Sequence, residues 1–280
     1  MKKILLPTDF SDNSWNAIKY ALQLFKDEEC TFYLLNTYKP IVYHVEFALA
    51  SSTHLELGDI LKKASRKGLE DINSRINKEF NNPKHIFSQL SSFNTLIDEI
   101  KQLHKGHVMD FIIMGTKGAT GAKEILFGSN TVHVFKNAKC PVLAIPDEFV
   151  FETPHEILFP SDYEVVFQDK HIQPILDIAT AYKARVHILN ASYGYDLSEK
   201  QEQNKQKLAS YFKNTAHLFH SVSNQNVPEA ITNFQLKTRI NLLAMINNKH
   251  SFFENLFFKK TINQIGFHLK IPFLVIQSKI

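Results

Sequence analysis

The sequence predicts an α/β protein built as two tandem, doubly wound domains, each a parallel sheet with helices on both faces. Three observations lead there. Short apolar runs alternate with segments whose apolar residues recur at helical spacing. The runs are apolar at nearly every position, as strands covered on both faces must be. The whole series also occurs twice, in the same order.

The repeat is read directly from matched segments. Ile4-Leu5-Leu6-Pro7-Thr8-Asp9-Phe10 returns as Ile157-Leu158-Phe159-Pro160-Ser161-Asp162-Tyr163, an offset of 153. Leu34-Leu35-Asn36 returns as Ile188-Leu189-Asn190, an offset of 154. Phe111–Met114 and Cys140–Ile145 return as Leu242–Met245 and Ile271–Ile276, both at an offset of 131. The drop of about 23 marks extra residues in the first copy, between 39 and 85. The domains are expected at 1–147 and 154–280, with the junction near Asp147–Pro154.

Within the first copy, Ile4–Leu6 is an apolar run closed by Pro7, suited to a buried strand. Ser11 or Asp12 can cap the next helix, whose Trp15, Ile18, Leu22 and Phe25 share one face. Thr31–Asn36 reads as the second strand, roughly Leu57–Phe80 as the second helix and His85–Leu90 as the third strand. Asn94 is placed to cap a helix carrying Leu96, Ile97, Ile100 and Leu103. Val108–Met114 is the expected fourth strand, a helix follows from about Asn130, and Pro141–Ile145 closes the copy as the fifth strand. In such sheets ligands sit beyond the carboxyl ends of the strands, where the strand order reverses.

Composition narrows the function. Net charge is +4, split +1 and +3 between 1–150 and 151–280, so neither half is the basic surface that nucleic acid requires. The two cysteines, Cys30 and Cys140, are far apart and form no CxxC, so they read as reduced, buried thiols of a cytoplasmic protein. No run of 18 apolar residues occurs, and the apolar start stops at Pro7, too short for a signal peptide. No membrane partner is expected.

Four of the nine glycines, Gly115, Gly118, Gly121 and Gly128, fall within fourteen residues between the fourth strand and the next helix. Glycines allow positive φ and close backbone approach, so amides there can converge on an anion. Gly128-Ser129 adds a hydroxyl and a helix N-terminus, which suits phosphate; a simple turn with a serine cap is the alternative. The spacing is not the dinucleotide GxGxxG, which follows a first strand, nor the Walker A GxxxxGK[ST].

With these residues in place, the chain resembles the universal stress protein family in its tandem form. Gly115-x2-Gly118-x9-Gly128-Ser129 is similar to the family's ATP-binding signature. The strand ending in Met114, the closing strand Cys140–Ile145 and the opening Ile4–Ser11 are similar too. The resemblance implies strand order 3-2-1-4-5 in each domain and an adenine nucleotide, ATP, ADP or AMP, with Mg2+ riding on the phosphates rather than on protein ligands. The residues so implied are Thr8 and Asp9 beside the nucleoside and Thr37 at the adenine. Gly115 faces the ribose, Gly118, Gly128 and Ser129 meet the phosphates with Asn130 nearby, and Met114 is a further nucleotide-binding residue at the strand end. Lys117 stands where the family often has His and can either add charge at the phosphates or point to water. The resemblance also implies pairing through the fifth strands, here within one chain as a pseudo-dimer, with further homodimerisation open.

The second copy lacks the signature: Gly115, Gly118, Gly128 and Ser129 correspond to Ile246, Lys249, Lys259 and Lys260. It is expected to be structural or an interaction surface. The extra segment, with Tyr43, His44, Glu46, Phe47 and His54, could be a lid, a partner surface or a decorated surface helix. Thirteen histidines form no HExxH, and His217 and His220 in one strand should face opposite sides, so no metal site is expected. No catalytic residue is marked. The expected function is a regulatory adenine-nucleotide-binding stress protein. The alternatives are a slow ATPase or phosphotransferase, and an interaction protein with an empty nucleotide loop.

Overall fold

The structure is a computed structural model that describes residues 1–39, 51–106, 109–116, 127–192, 194, 196–248 and 270–278, with 51–56 described by backbone alone. In chain order the first half contains β1 (Lys2–Pro7), α1 (Asp12–Leu24), β2 (Cys30–Thr37), α2 (Ser51–Phe80), β3 (His85–Ser92), α3 (Leu96–Gly106), β4 (Phe111–Gly115), α4 (Ser129–Asn137) and β5 (Val142–Ile145). The second contains β6 (Glu156–Pro160), α5 (Asp169–Tyr182), β7 (Arg185–Ser192), α6 (Glu199–Phe212), β8 (His217–Ser223), α7 (Val227–Lys237), β9 (Leu242–Asn247) and β10 (Phe273–Gln277).

The ten strands form one sheet in the order β3-β2-β1-β4-β5-β10-β9-β6-β7-β8. The first five strands follow 3-2-1-4-5, and β6–β10 repeat that order from the opposite edge. Every pairing is parallel except the central one, where β5 and β10 run antiparallel with Leu143 opposite Leu274. The side-chain period of two sorts the strands between two cores. Ile4 and Leu6 face one side with α1, α2, α5 and α6, and Leu5 faces the other with α3, α4 and α7. The inner strands β1, β4, β5, β6, β9 and β10 therefore bury both faces and are apolar nearly throughout, whereas the edge strands β3 and β8 are partly exposed and carry polar residues.

The repeat extends to individual hydrogen bonds. The Thr8 amide donates to Leu35 O at 2.8 Å, and the Ser161 amide donates to Leu189 O at 2.9 Å. The Phe10 amide donates to Thr8 Oγ1, as that of Tyr163 does to Ser161 Oγ. Asn36 Nδ2 donates to Thr8 O, as Asn190 Nδ2 does to Ser161 O. Phe10 and Tyr163 both adopt left-handed backbone, φ 66° and 58°. This conformation is costly for an aromatic residue and persists only where its surroundings hold it. One support is visible: a Cβ added at Gly68 of α2 would lie 2.5 Å from the Phe10 ring.

Several element boundaries differ from expectation. Ser11 caps α1 by accepting the Ser14 amide, which settles the choice between Ser11 and Asp12. Thr95 rather than Asn94 caps α3: its Oγ1 accepts the Asp98 amide, while Asn94 Oδ1 accepts the Thr95 amide and its Nδ2 donates to Glu99. The fourth strand begins at Phe111 rather than Val108, because pairing with β1 starts at Ile4 opposite Phe111; Val108 lies outside the described residues. Helix α2 starts at Ser51, ahead of Leu57, and its 30 residues against 14 in α6 account for much of the extra length of the first half. Tyr43, His44, Glu46, Phe47 and the side chain of His54 lie outside the described residues.

Candidate functional site

A cleft of about 380 Å³ opens at the carboxyl ends of β1, β2 and β4, where the strand order reverses between β1 and β4. Its wall includes Thr8 and Asp9 from the β1–α1 turn, Thr37 from the end of β2, Met114 and Gly115 from β4, and Gly128, Ser129 and Asn130 at the start of α4. These are all the sequence-derived site residues but one. Gly118 lies outside the described residues, as does Lys117.

The β1 end of the cleft is tied together by side-chain hydrogen bonds. Thr8 is buried, with Oγ1 bonded to Ser14 Oγ at 3.0 Å and accepting the Phe10 amide. Asp9 is exposed, and its Oδ1 accepts the Ser11 amide at 3.1 Å. A turn fixed by side-chain acceptors in this way holds both residues at the mouth without using a helix or strand.

The opposite wall is the N-terminus of α4, and it has an open character. Gly128 is the cap residue, so no side chain caps the helix. The amide of Gly128 donates to Thr116 O at 2.7 Å, and that of Val132 to Gly128 O at 3.1 Å. The amides of Ser129, Asn130 and Thr131 find no acceptor among the described residues. These are the donors a helix leaves unsatisfied in its first turn, and the helix dipole adds partial positive charge there. Thr131 does not compete for them. Its hydroxyl is within hydrogen-bonding distance of Gly115 O at 3.1 Å and Thr116 O at 3.2 Å, which ties α4 to the end of β4.

Of the two freedoms expected of the glycines, close approach is seen and positive φ is not at Gly115 and Gly128. Among the described residues Gly194 is the sole glycine with positive φ. Gly128, which lines the cleft, has φ −60° and ψ 156°, a conformation open to any residue. Gly115 serves close approach, because a Cβ there would fall 1.6 Å from Asn13 Oδ1. Ser129 is the first residue of α4 and not its cap, and the helix starts one residue before the expected Asn130.

Sequence reading missed Pro7, Ser14, Leu35, Asn36, Leu96 and Thr131, which also line the cleft. Asn36 carried a usable signal: a polar residue closes an otherwise apolar strand in both copies, as Asn36 and Asn190. In the second half, burial raises the carboxyl pKa of Asp162, the counterpart of exposed Asp9. The segment matching the glycine loop, including Lys249, Lys259 and Lys260, lies outside the described residues, whereas Ile246 is a buried residue of β9.

Other sequence-level readings can be placed. Cys30 and Cys140 are buried and unbridged, with thiol pKa values pushed by burial to about 12, so neither is poised as a nucleophile. His217 packs against Phe212 and Phe219, while His220 packs against Phe234 and His187 on the other face. Among the described residues no group of three His, Cys, Asp or Glu side chains could hold a metal ion, and no helix is long and apolar enough to cross a membrane.

The universal stress protein family model matches residues 1–146, over half the chain. The chain belongs to the universal stress protein family. Two family proteins from Methanocaldococcus jannaschii are 31% and 30% identical to it, each aligned over 51% of this chain and over 81% and 94% of their own lengths. A solved universal stress protein from Archaeoglobus fulgidus superposes along 99% of this chain and 98% of its own, with TM-score 0.63 and 16% identity. The cytoplasmic domain of a prokaryotic cation chloride cotransporter also superposes over 99% of the chain and 96% of its own, with TM-score 0.52 and 9% identity. At such identities the likeness concerns the fold alone, and the cotransporter shows that this fold serves more than one purpose. The family fold therefore spans the chain, while sequence kinship lies in the first half.

Proposed function

We propose that the chain is a regulatory stress-response protein that binds one adenine nucleotide, ATP, ADP or AMP, in its first half. The observation that carries this reading is the uncapped N-terminus of α4, whose first-turn amides lie at a cleft at the switch point of the sheet. An anion is what such a helix end lacks. Thr8, Asp9 and Thr37 would flank the nucleoside, Gly115 would face the ribose with Met114 beside it at the strand end, and Gly118, Gly128 and Ser129 would meet the phosphates with Asn130 nearby. Asp9 is the one carboxylate among the described lining residues, too few for a protein-held divalent ion, so Mg2+ would be carried on the phosphates.

Binding rather than turnover suits this site. Amides and a hydroxyl that grip ground and transition states alike tighten binding without speeding the reaction. The described cleft offers no histidine and no second carboxylate to position water. The chain would form two domains, 1–147 and 154–280, the second having lost its phosphate loop and serving as the first one's partner in a cytoplasmic pseudo-dimer. Denaturing the freshly purified protein and identifying any released small molecule by mass tests the reading. An adenine nucleotide is expected; absence of release together with absence of binding in titration would reject it.

A further inference from the structure

The second half reaches helix α4 at both of its ends. At the C-terminal end, Phe135 O lies in the last turn of α4, and the Lys139 amide four residues on donates to His104 Nε2. Asn247 Nδ2 and Gln277 Nε2, from the ends of β9 and β10, both donate to it, at 3.0 and 2.9 Å. Asn247 Nδ2 is also 2.9 Å from Gln277 Oε1, so the two amides brace each other. Gln277 is buried and Asn247 half-buried. At the N-terminal end, Phe127 lies just before the cap residue Gly128. Its ring packs on Phe273 of β10 with centroids 5.8 Å apart and on Phe135 at 5.3 Å; Phe135 in turn meets Phe273 at 5.8 Å. In the repeat, Asn247 and Gln277 correspond to Thr116 and Pro146, so the first half has no such amide pair at those positions.

We infer that Asn247, Gln277 and Phe273 are positioning residues for the first-half nucleotide site: they set the place of α4 and hence the aim of its first-turn amides. The inference rests on the nucleotide reading above and gives the degenerate half a task that requires no ligand of its own. It is specific to the phosphate end of the site. The nucleoside end, at Thr8, Asp9 and Thr37, is built on β1 and β2, which are remote from β10 in the sheet. Loosening the clamp should therefore cost phosphate contacts and spare adenosine.

The test measures ATP and adenosine affinity by calorimetry on the full-length chain and on three clamp variants, Asn247→Ala, Gln277→Ala and Phe273→Leu. Phe212→Leu is the control; it removes comparable packing from the second half on the opposite face of the sheet. ATP affinity should fall about tenfold in Gln277→Ala, the equivalent of one or two lost hydrogen bonds, with adenosine changed less than twofold and the control unaffected. Asn247→Ala, at a half-buried site, keeps the test open if Gln277→Ala does not fold. Unaltered ATP affinity in the clamp variants would overturn the inference alone, as would an equal fall for ATP and adenosine shared by Phe212→Leu. Wild-type protein that binds neither ligand would overturn the nucleotide reading and this inference with it.

Discussion

Asn13 and Gly115 meet where α1 crosses the end of β4, and they illustrate how closely the cleft is packed. Both side-chain amide atoms of Asn13 are buried without a hydrogen-bond partner among the described residues, and there is no room beside them for a Cβ on residue 115. Gly115→Ala should destabilise the fold by about 1–3 kcal/mol, as overpacking does. Asn13→Ala in the same chain should restore most of that loss, because it vacates the space and removes an unsatisfied polar group. Urea unfolding of the two single variants and the double variant checks this; simple additivity would contradict the contact. Among the described residues, four histidines bear on the pH response. Burial lowers the pKa of His85, His104, His171 and His220, so the fold favours their neutral forms. In the unfolded chain these groups take up protons from about pH 6.5 downward, before they do so in the folded one. Their contribution is thus fully present above that pH and lost as pH falls through and below it. Burial of Asp162 raises its carboxyl pKa and acts in the opposite sense, one group against four. The thermal midpoint should drop between pH 7.5 and pH 5; a midpoint that holds or rises would contradict this.

On the proposed function, stability and binding compete at the cap residue of helix α4. Gly128 has ordinary extended backbone and leaves the helix uncapped. Gly128→Asp would supply both a capping acceptor and a negative charge at the positive end of the dipole, raising stability by a few tenths to about 1 kcal/mol. The same carboxylate would occupy and repel what the cleft binds. Unfolding midpoint and nucleotide affinity should therefore move in opposite directions, and a variant that loses both would show Gly128 to be needed for folding instead. Elements differ in how far the sequence announced them. The helices and buried strands were legible from period and apolar runs, and the duplication from Pro7-Thr8-Asp9 and its echo at Pro160-Ser161-Asp162. The α3 cap was not, because Asn94 and Thr95 are both good capping residues and only the hydrogen bonds decide between them. Of the two freedoms expected of the glycines, Gly115 shows close approach, and neither Gly115 nor Gly128 has a positive φ.

At the scale of the whole molecule, antiparallel pairing of β5 with β10 joins two five-stranded sheets into one. Val142, Leu143 and Ala144 and their partners Phe273, Leu274 and Val275 are fully buried there. A chain ending near residue 147 should expose the β5 edge and self-associate, as measured by sedimentation; a soluble monomer would count against the pairing as a structural necessity. Long-range features of this kind were the least legible in the sequence. The strand order came from family resemblance rather than from local pattern. The reach of Asn247 and Gln277 to Phe135 spans more than a hundred residues and leaves no periodic trace.

The central claim is that one half of a duplicated chain keeps a nucleotide site while the other supports it. Calorimetric titration of the full chain with ATP and Mg2+ tests it most directly. The account predicts one nucleotide bound per chain and complete loss of binding in Gly128→Asp. Two equivalent sites, or binding undiminished by that substitution, would contradict it.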